Sequence, residues 1–104
     1  MDEEFNPAFK RILWYVFFAT RGGESRIRIV DKLAERPYNI NQLSKELKMD
    51  YKTILHHIKV LEDNKIILPE EKKYGTIYFH SPMFEQGMKM FNDIKERIFR
   101  EKKE

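Results

Sequence analysis

Residues 39–68 read NINQLSKELKMDYKTILHHIKVLEDNKIIL, and the spacing of their apolar side chains predicts two helices joined by a tight turn. Asn39 is a good helix cap, and Ile40, Leu43 and Leu47 come after it at helical spacing, so a short helix runs over about 40–47. Lys48, Met49 and Asp50 make the turn, with Asp50 placed to cap the next helix. Ile54, Ile58 and Leu61 then form the buried stripe of that longer helix, over about 51–64. At about 100° per residue, Lys52, His56, Lys59 and Asp63 gather on its opposite side. Tyr51 and Leu55 flank one edge of that exposed face, and Thr53 and Val60 flank the other.

Beyond this stretch the period changes. Ile66, Ile67 and Leu68 read as a short strand closed by Pro69, residues 70–75 (EEKKYG) as a polar turn, and residues 76–80 (TIYFH) as a second strand. Together they predict a two-stranded hairpin. Ser81 and Pro82 open a last helix over about 83–103. Its Phe84, Met88, Phe91, Ile94 (or Lys95) and Ile98 recur at the steps of a seam for another helix.

Before the stretch, Asn6 is placed as a cap and Pro7 as the first turn of a helix. Phe9, Ile12, Leu13, Val16 and Phe17 make one stripe, while Trp14, Tyr15, Phe18 and Ala19 fill the other faces. A helix apolar nearly all round needs cover on both sides. The domain supplies one side, and a second copy of the chain would supply the other. Arg21, Gly22 and Gly23 stop this helix. The next runs over about 24–35, with Ile27, Val30, Leu33 and Ala34 as its inner stripe and Arg26, Arg28 and Lys32 elsewhere on it. Arg36-Pro37-Tyr38 ends it, because the residue before a proline disfavours helix. The expected fold is mainly α with a small β-hairpin. It is a winged helix-turn-helix core (24–81) with an N-terminal (1–21) and a C-terminal (82–104) dimerisation helix, all in one domain.

Composition bounds the chemistry. The 104 residues fit one domain, and 41% hydrophobic with 13% aromatic residues is too apolar for a disordered tail. There is no cysteine, which excludes disulfides, thiolate metal sites and cysteine nucleophiles. Lys and Arg number 20 against 17 Asp and Glu, so the surface is mixed and mildly basic. The start, Met1 to Glu4, is acidic, unlike a signal peptide, and the longest apolar run, Ile12 to Ala19, falls far short of the roughly 20 residues of a membrane span. A cytoplasmic protein with no membrane partner is expected.

A short helix that braces a longer one, with a hairpin after it, is an arrangement suited to duplex DNA. The N-terminus of the short helix, with Asn41 and Gln42, can face a phosphate. The longer helix presents Tyr51, Lys52, Thr53, Leu55, His56 and Lys59 to the major groove. The hairpin tip carries Lys72, Lys73 and Tyr74 to the flanking backbone or minor groove. The alternative is that Lys52 and Lys59 merely solvate a helix face.

Residues 39–68 resemble the ArsR-type winged-helix transcriptional regulators. In these the segment after the turn commonly reads as a small polar cap, a Thr, two His, then Leu-Lys-Val-Leu-Glu. Here Asp50, Thr53, His56, His57, Ile58, Lys59, Val60, Leu61 and Glu62 stand in that order. Thr20-Arg21-Gly22-Gly23, Arg36-Pro37-Tyr38-Asn39 and Asp50-Tyr51-Lys52-Thr53 are similar to short euryarchaeal regulators of this class, those of archaellum genes among them. The resemblance implies a homodimer on double-stranded promoter DNA, with the first and last helices at the interface. That interface is expected to hold Phe9, Ile12, Leu13, Val16, Phe17, Phe84, Met88, Phe91, Ile94 and Ile98. The basal transcription machinery is a further expected partner.

The sequence departs from the metal-sensing members of that class. It lacks Cys pairs, and adjacent His56 and His57 point about 100° apart, so they cannot chelate one ion as an i, i+4 pair can. No metal, cofactor or catalytic constellation is expected. His57 lies nearer the buried stripe and is expected to be packed or backbone-bonded, leaving His56 as the better base reader. Leu55 could touch a thymine methyl or cover the core edge. Glu70 and Glu71 beside Lys72 and Lys73 read as solvated charges that weaken the wing's attraction for phosphate. Ser44 reads as a surface residue, and Met83, Met88 and Met90 as interface packing. A winged-helix adaptor that binds protein is the rival reading. An adaptor would be acidic or apolar on the face where Lys52, His56 and Lys59 stand.

Overall fold

Asn39 opens helix α3 (Ile40–Leu47) with a reciprocal cap. Its Oδ1 accepts from the Gln42 backbone N–H at 2.7 Å, and Gln42 Oε1 accepts from the Asn39 N–H at 2.8 Å. The helix ends at Lys48, whose backbone is left-handed (φ 57°). Ser44 is half-buried rather than a plain surface residue, and its hydroxyl donates to the Met49 carbonyl across the turn. Asp50 then caps helix α4 (Tyr51–Asp63), accepting from the Thr53 N–H at 3.3 Å and the Thr53 hydroxyl at 2.6 Å. Leu43 and Leu47 from α3 and Ile54, Ile58 and Leu61 from α4 are buried together. The computed structural model describes residues 7–103; the expected Asn6 cap lies outside the described residues.

The wing differs from its expected form in two ways. Strand β2 (Ile67–Lys72) is not closed by Pro69 but runs through it, pairing antiparallel with β3 (Gly75–His80) as far as Lys72 opposite Gly75. The connection shrinks to Lys73 and Tyr74, and Gly75 supplies the positive φ (125°) that closes it. Pro69 is tolerated because β2 lies at the edge of the sheet, where a missing N–H donor breaks no ladder. The sheet also has a third strand. Strand β1 (Tyr38–Asn39) pairs with β3, Tyr38 opposite Tyr78 and Asn39 opposite Ile77, giving the order β1-β3-β2.

The flanking helices are less regular than their sequence pattern. Helix α1 (Pro7–Trp14) passes into a π-helical turn at Tyr15–Ala19. Helix α2 (Gly23–Glu35) buries Ile29 and leaves Ala34 exposed, the reverse of expectation for Ala34. A Cβ at Gly23 would fall 2.4 Å from the Phe17 carbonyl oxygen, so the π-turn and α2 meet at a position only glycine fits. Arg28 on α2 donates to the Leu47 carbonyl at 3.0 Å and ties down the end of α3. The C-terminal part is two helices, α5 (Pro82–Gln86) and α6 (Met88–Lys103), separated at Gly87. Ser81 caps α5, accepting from the Phe84 N–H at 3.0 Å and donating to the Lys65 carbonyl at 2.7 Å.

These helices close the core of their own chain. Phe17 meets Phe91 at 4.9 Å and Phe91 meets Phe84 at 5.1 Å between ring centroids, both edge to face. Phe9, Leu13, Val16, Phe17, Phe84, Phe91 and Ile94 are buried, and Ile12, Met88 and Ile98 pack half-buried against them. The residues expected at a dimer interface are therefore mostly engaged within one chain. A side chain with no remaining solvent contact has no surface to give a partner. The large apolar side chains left exposed on these elements are Trp14, Tyr15, Met83 and Phe99. Met83 is thus on the surface, whereas Met88 and Met90 pack against the core.

Candidate nucleic-acid interface

Helix α4 brings Tyr51, Lys52, His56 and Lys59 to the surface, all four exposed. Lys52 and Lys59 form no ion pair among the described residues, so their charge is available to an outside anion. Thr53 is half-buried and donates its hydroxyl proton to Asp50, which leaves the hydroxyl oxygen as an acceptor, and the methyl group, for an outside partner. The Thr53 hydroxyl and N–H hold the Asp50 carboxyl below the usual carboxylate range, so the cap is anionic at neutral pH. Leu55 is half-buried and packs against the core, the second of its two readings. Asn41 is exposed at the start of α3, while the Gln42 side chain is engaged in the cap.

The wing tip is built differently. Lys72 Nζ lies 3.1 Å from Glu70 Oε2, so an acidic neighbour already holds this cation. Lys73 Nζ sits 5.7 Å from the centre of the Tyr74 ring, and Tyr74 is 86% exposed.

Beneath α4 lies a group centred on a residue that the sequence pattern places off the inner stripe. Arg26 of α2 is only 4% exposed. Its Nε donates to the Val16 carbonyl (3.1 Å), its Nη2 to the Thr20 hydroxyl (2.6 Å) and its Nη1 to His57 Nδ1 (3.0 Å). Thr20 in turn donates to the Tyr15 carbonyl at 3.0 Å. His57 is buried, as expected, but its partner is a side chain rather than the backbone. Accepting at Nδ1 requires the neutral ring with its proton on Nε2. Burial, then the Arg26 charge, then neighbouring His56 lower the His57 pKa to about 4. A signal for Arg26 was present in the sequence: it stands four and seven residues before Val30 and Leu33, at the spacing of one helix face. His80 is buried as well, its Nε2 2.8 Å from the Val30 carbonyl. Among the described residues no group of three or more His, Asp or Glu is placed to hold a metal, and no helix is long and apolar enough to cross a membrane.

The cationic face of α4, its capped turn from α3 and the hairpin after it are the parts of a winged helix-turn-helix. Residues 23–67 match the family model described as Bacterial regulatory protein, arsR family. The match runs from the first residue of α2 to the first residue of β2 and so contains the whole helix-turn-helix. Solved structures extend the likeness to the flanking helices. The transcriptional regulator HlyU from Vibrio vulnificus CMCP6 aligns with a TM-score of 0.65 at 17% identity, covering 90% of this chain and 88% of that one. Reduced HlyU from Vibrio cholerae N16961 gives 0.62 at 15% identity, covering 91% and 92%. A probable transcriptional regulator from Pseudomonas aeruginosa gives 0.69 at 16% identity, covering 95% and 76%. At these identities the likeness is one of fold. No curated protein sequence matches the chain.

Proposed function

We propose that the protein is a sequence-specific regulator of transcription that binds double-stranded promoter DNA as a homodimer and has no catalytic activity of its own. The observation that carries this reading is the exposed cationic face of α4, with Lys52, His56 and Lys59 on a helix fixed at its start by Asp50. In this reading α4 enters the major groove, with Tyr51 and Asn41 at its approach, and Lys72, Lys73 and Tyr74 of the wing reach the flanking backbone or minor groove. The family match over the helix-turn-helix supports it, as do the structurally similar transcriptional regulators. The rival adaptor reading would need an acidic or apolar face where these side chains stand.

The homodimer is proposed on what the first and last helices leave uncovered. Trp14, Tyr15, Met83 and Phe99 are exposed. A groove of about 760 Å³ lies between the first helical segment and α6, lined by Trp14, Tyr15, Met90 and Ile94 among others. A second copy seated there would cover apolar surface that α1 and α6 leave open. We further propose a cytoplasmic archaeal regulator that also meets the basal transcription machinery.

The test is selection of duplexes from a random library with the full chain, and then titration of the winner in salt. An inverted repeat with half-sites about 34 Å apart is expected. The logarithmic salt slope should be about −4 to −8 per dimer. Light scattering at micromolar concentration should give twice the 12.7 kDa chain mass. Failure to enrich any duplex rejects DNA reading, and a one-chain mass rejects the dimer.

A further inference from the structure

We propose that Arg26 is a positioning residue for DNA reading: acting through His57, it sets the orientation in which α4 presents His56. The proposal deepens the DNA-reading function above and rests on it.

The guanidinium of Arg26 is held at all three nitrogens, by a backbone carbonyl of the π-turn, by Thr20 and by His57. None of these partners is an anion, and among the described residues Arg26 forms no ion pair. A buried charge without a counter-ion is a poor source of stability, and an apolar side chain would fill the same volume at lower cost. What the arginine supplies is direction. Its rigid fork fixes three acceptors relative to one another, and these belong to the π-turn, the loop before α2 and the middle of α4. By donating to Nδ1 it fixes the tautomer and the plane of the His57 ring. His56 is the neighbour of His57 on α4, its ring 5.2 Å from that of His57 and tilted by 59°. A turn of α4 that releases His57 from Arg26 therefore also moves His56 on the exposed face.

Gly22 completes the unit. Its φ of −82° is open to any residue, so backbone freedom does not explain the glycine. A Cβ there would stand 2.4 Å from Arg26 Nη1 and 2.8 Å from His57 Cε1. The glycine is what lets guanidinium and imidazole meet. Because the obstructing atoms are the ends of side chains, Gly22→Ala should fold with the Arg26–His57 contact displaced.

The experiment compares wild type, Gly22→Ala, Arg26→Lys and their combination in the full chain. Arg26→Lys keeps the charge and removes the fork. Affinities are measured for the selected duplex and a random duplex, beside melting curves and 15N NMR of the imidazoles and of the amides of α4. Both single variants should stay folded and hold random duplex within about twofold, while the ratio of selected to random affinity falls by about fivefold or more. The double variant should add little to Arg26→Lys, since both changes break one contact. The His57 ring nitrogens and the α4 amides should shift in both variants. An unchanged ratio overturns the proposal. So does a parallel loss on both duplexes that tracks the loss of folded protein, which is what a merely structural role predicts. If wild type binds no duplex, DNA reading is what has failed. The NMR arm then decides alone: shifts confined to residues near position 26, with α4 unmoved, overturn the positioning role.

Discussion

Helix α4 and the wing tip both offer lysines to an outside polyanion, yet they are built on opposite terms. Lys52 and Lys59 stand on a helix fixed by the Asp50 cap, by buried Ile54, Ile58 and Leu61, and by the hold of Arg26 on His57. Lys72 is already held by Glu70, and Tyr74 at the tip is almost wholly exposed. Reading a base edge needs a side chain whose direction is set in advance, whereas a phosphate accepts a point charge from many directions. In the proposed reading of DNA, rigidity lies where direction would matter, and the tip, where charge would suffice, has little beneath it.

That contrast can be broken outright. Ile58→Ala under the reading helix should lower stability by about 2–5 kcal/mol, while Tyr74→Ala at the tip should stay within about 0.5 kcal/mol of wild type; urea unfolding measures both. Equal losses would mean that the two regions are not supported differently.

Acid should reach the helix through His57. Its pKa falls from 6.5 in the open chain to about 4 in the folded one. Between those values the unfolded chain takes up a proton that the folded chain refuses. Stability therefore falls as pH drops through this window, by at most about 3 kcal/mol, and this contribution levels off below it. Urea midpoints at neutral pH and near pH 4.5 should separate wild type from His57→Gln, whose loss over the interval should be the smaller. The Asp50 cap is common to both chains and cancels in the difference.

Changes on the surface sharpen the contrast further. His56→Ala should cost about 1–3 kcal/mol on the selected duplex and little on a random one. The smallest effects belong to the wing. Lys73→Ala should weaken both duplexes alike and flatten the salt slope by about one unit per lost phosphate contact. Lys72→Ala should do less, because Glu70 already engages that lysine. Glu70→Gln should release it and tighten both complexes slightly. A specificity ratio that survives His56→Ala but collapses in the wing variants would reverse the two roles.

What was legible in the sequence is what local chemistry decides. Asn39 with Gln42 and Asp50 with Thr53 are caps formed within three residues, so α3, the turn and α4 could be placed within a residue of their observed bounds. The exposure of Lys52, His56 and Lys59 came from the stripe on the opposite side. What escaped depends on partners far along the chain. Strand β1 exists only because β3 lies beside it, and Pro69 is compatible with a strand only because no strand lies beyond it. Arg26 stands at stripe spacing with Val30 and Leu33, but spacing does not reveal its acceptors, which come from the π-turn, Thr20 and a helix 31 residues away. The apolar seam at Phe84, Phe91 and Ile94 was real, but periodicity cannot say whether its cover comes from the same chain or another.

The position of Pro69 has a consequence for how copies of this protein can and cannot meet. Both margins of the sheet are unfit to recruit another strand. Strand β1 is two residues long, and β2 presents a residue without a donor and then Glu70, Glu71 and Lys72. Short edges, prolines and charges are the features that keep sheets from adding to one another without limit. A crowded cell thus finds no template for filaments on this sheet. In the proposed homodimer self-association falls to the helices, where an isologous contact would close on itself after two copies.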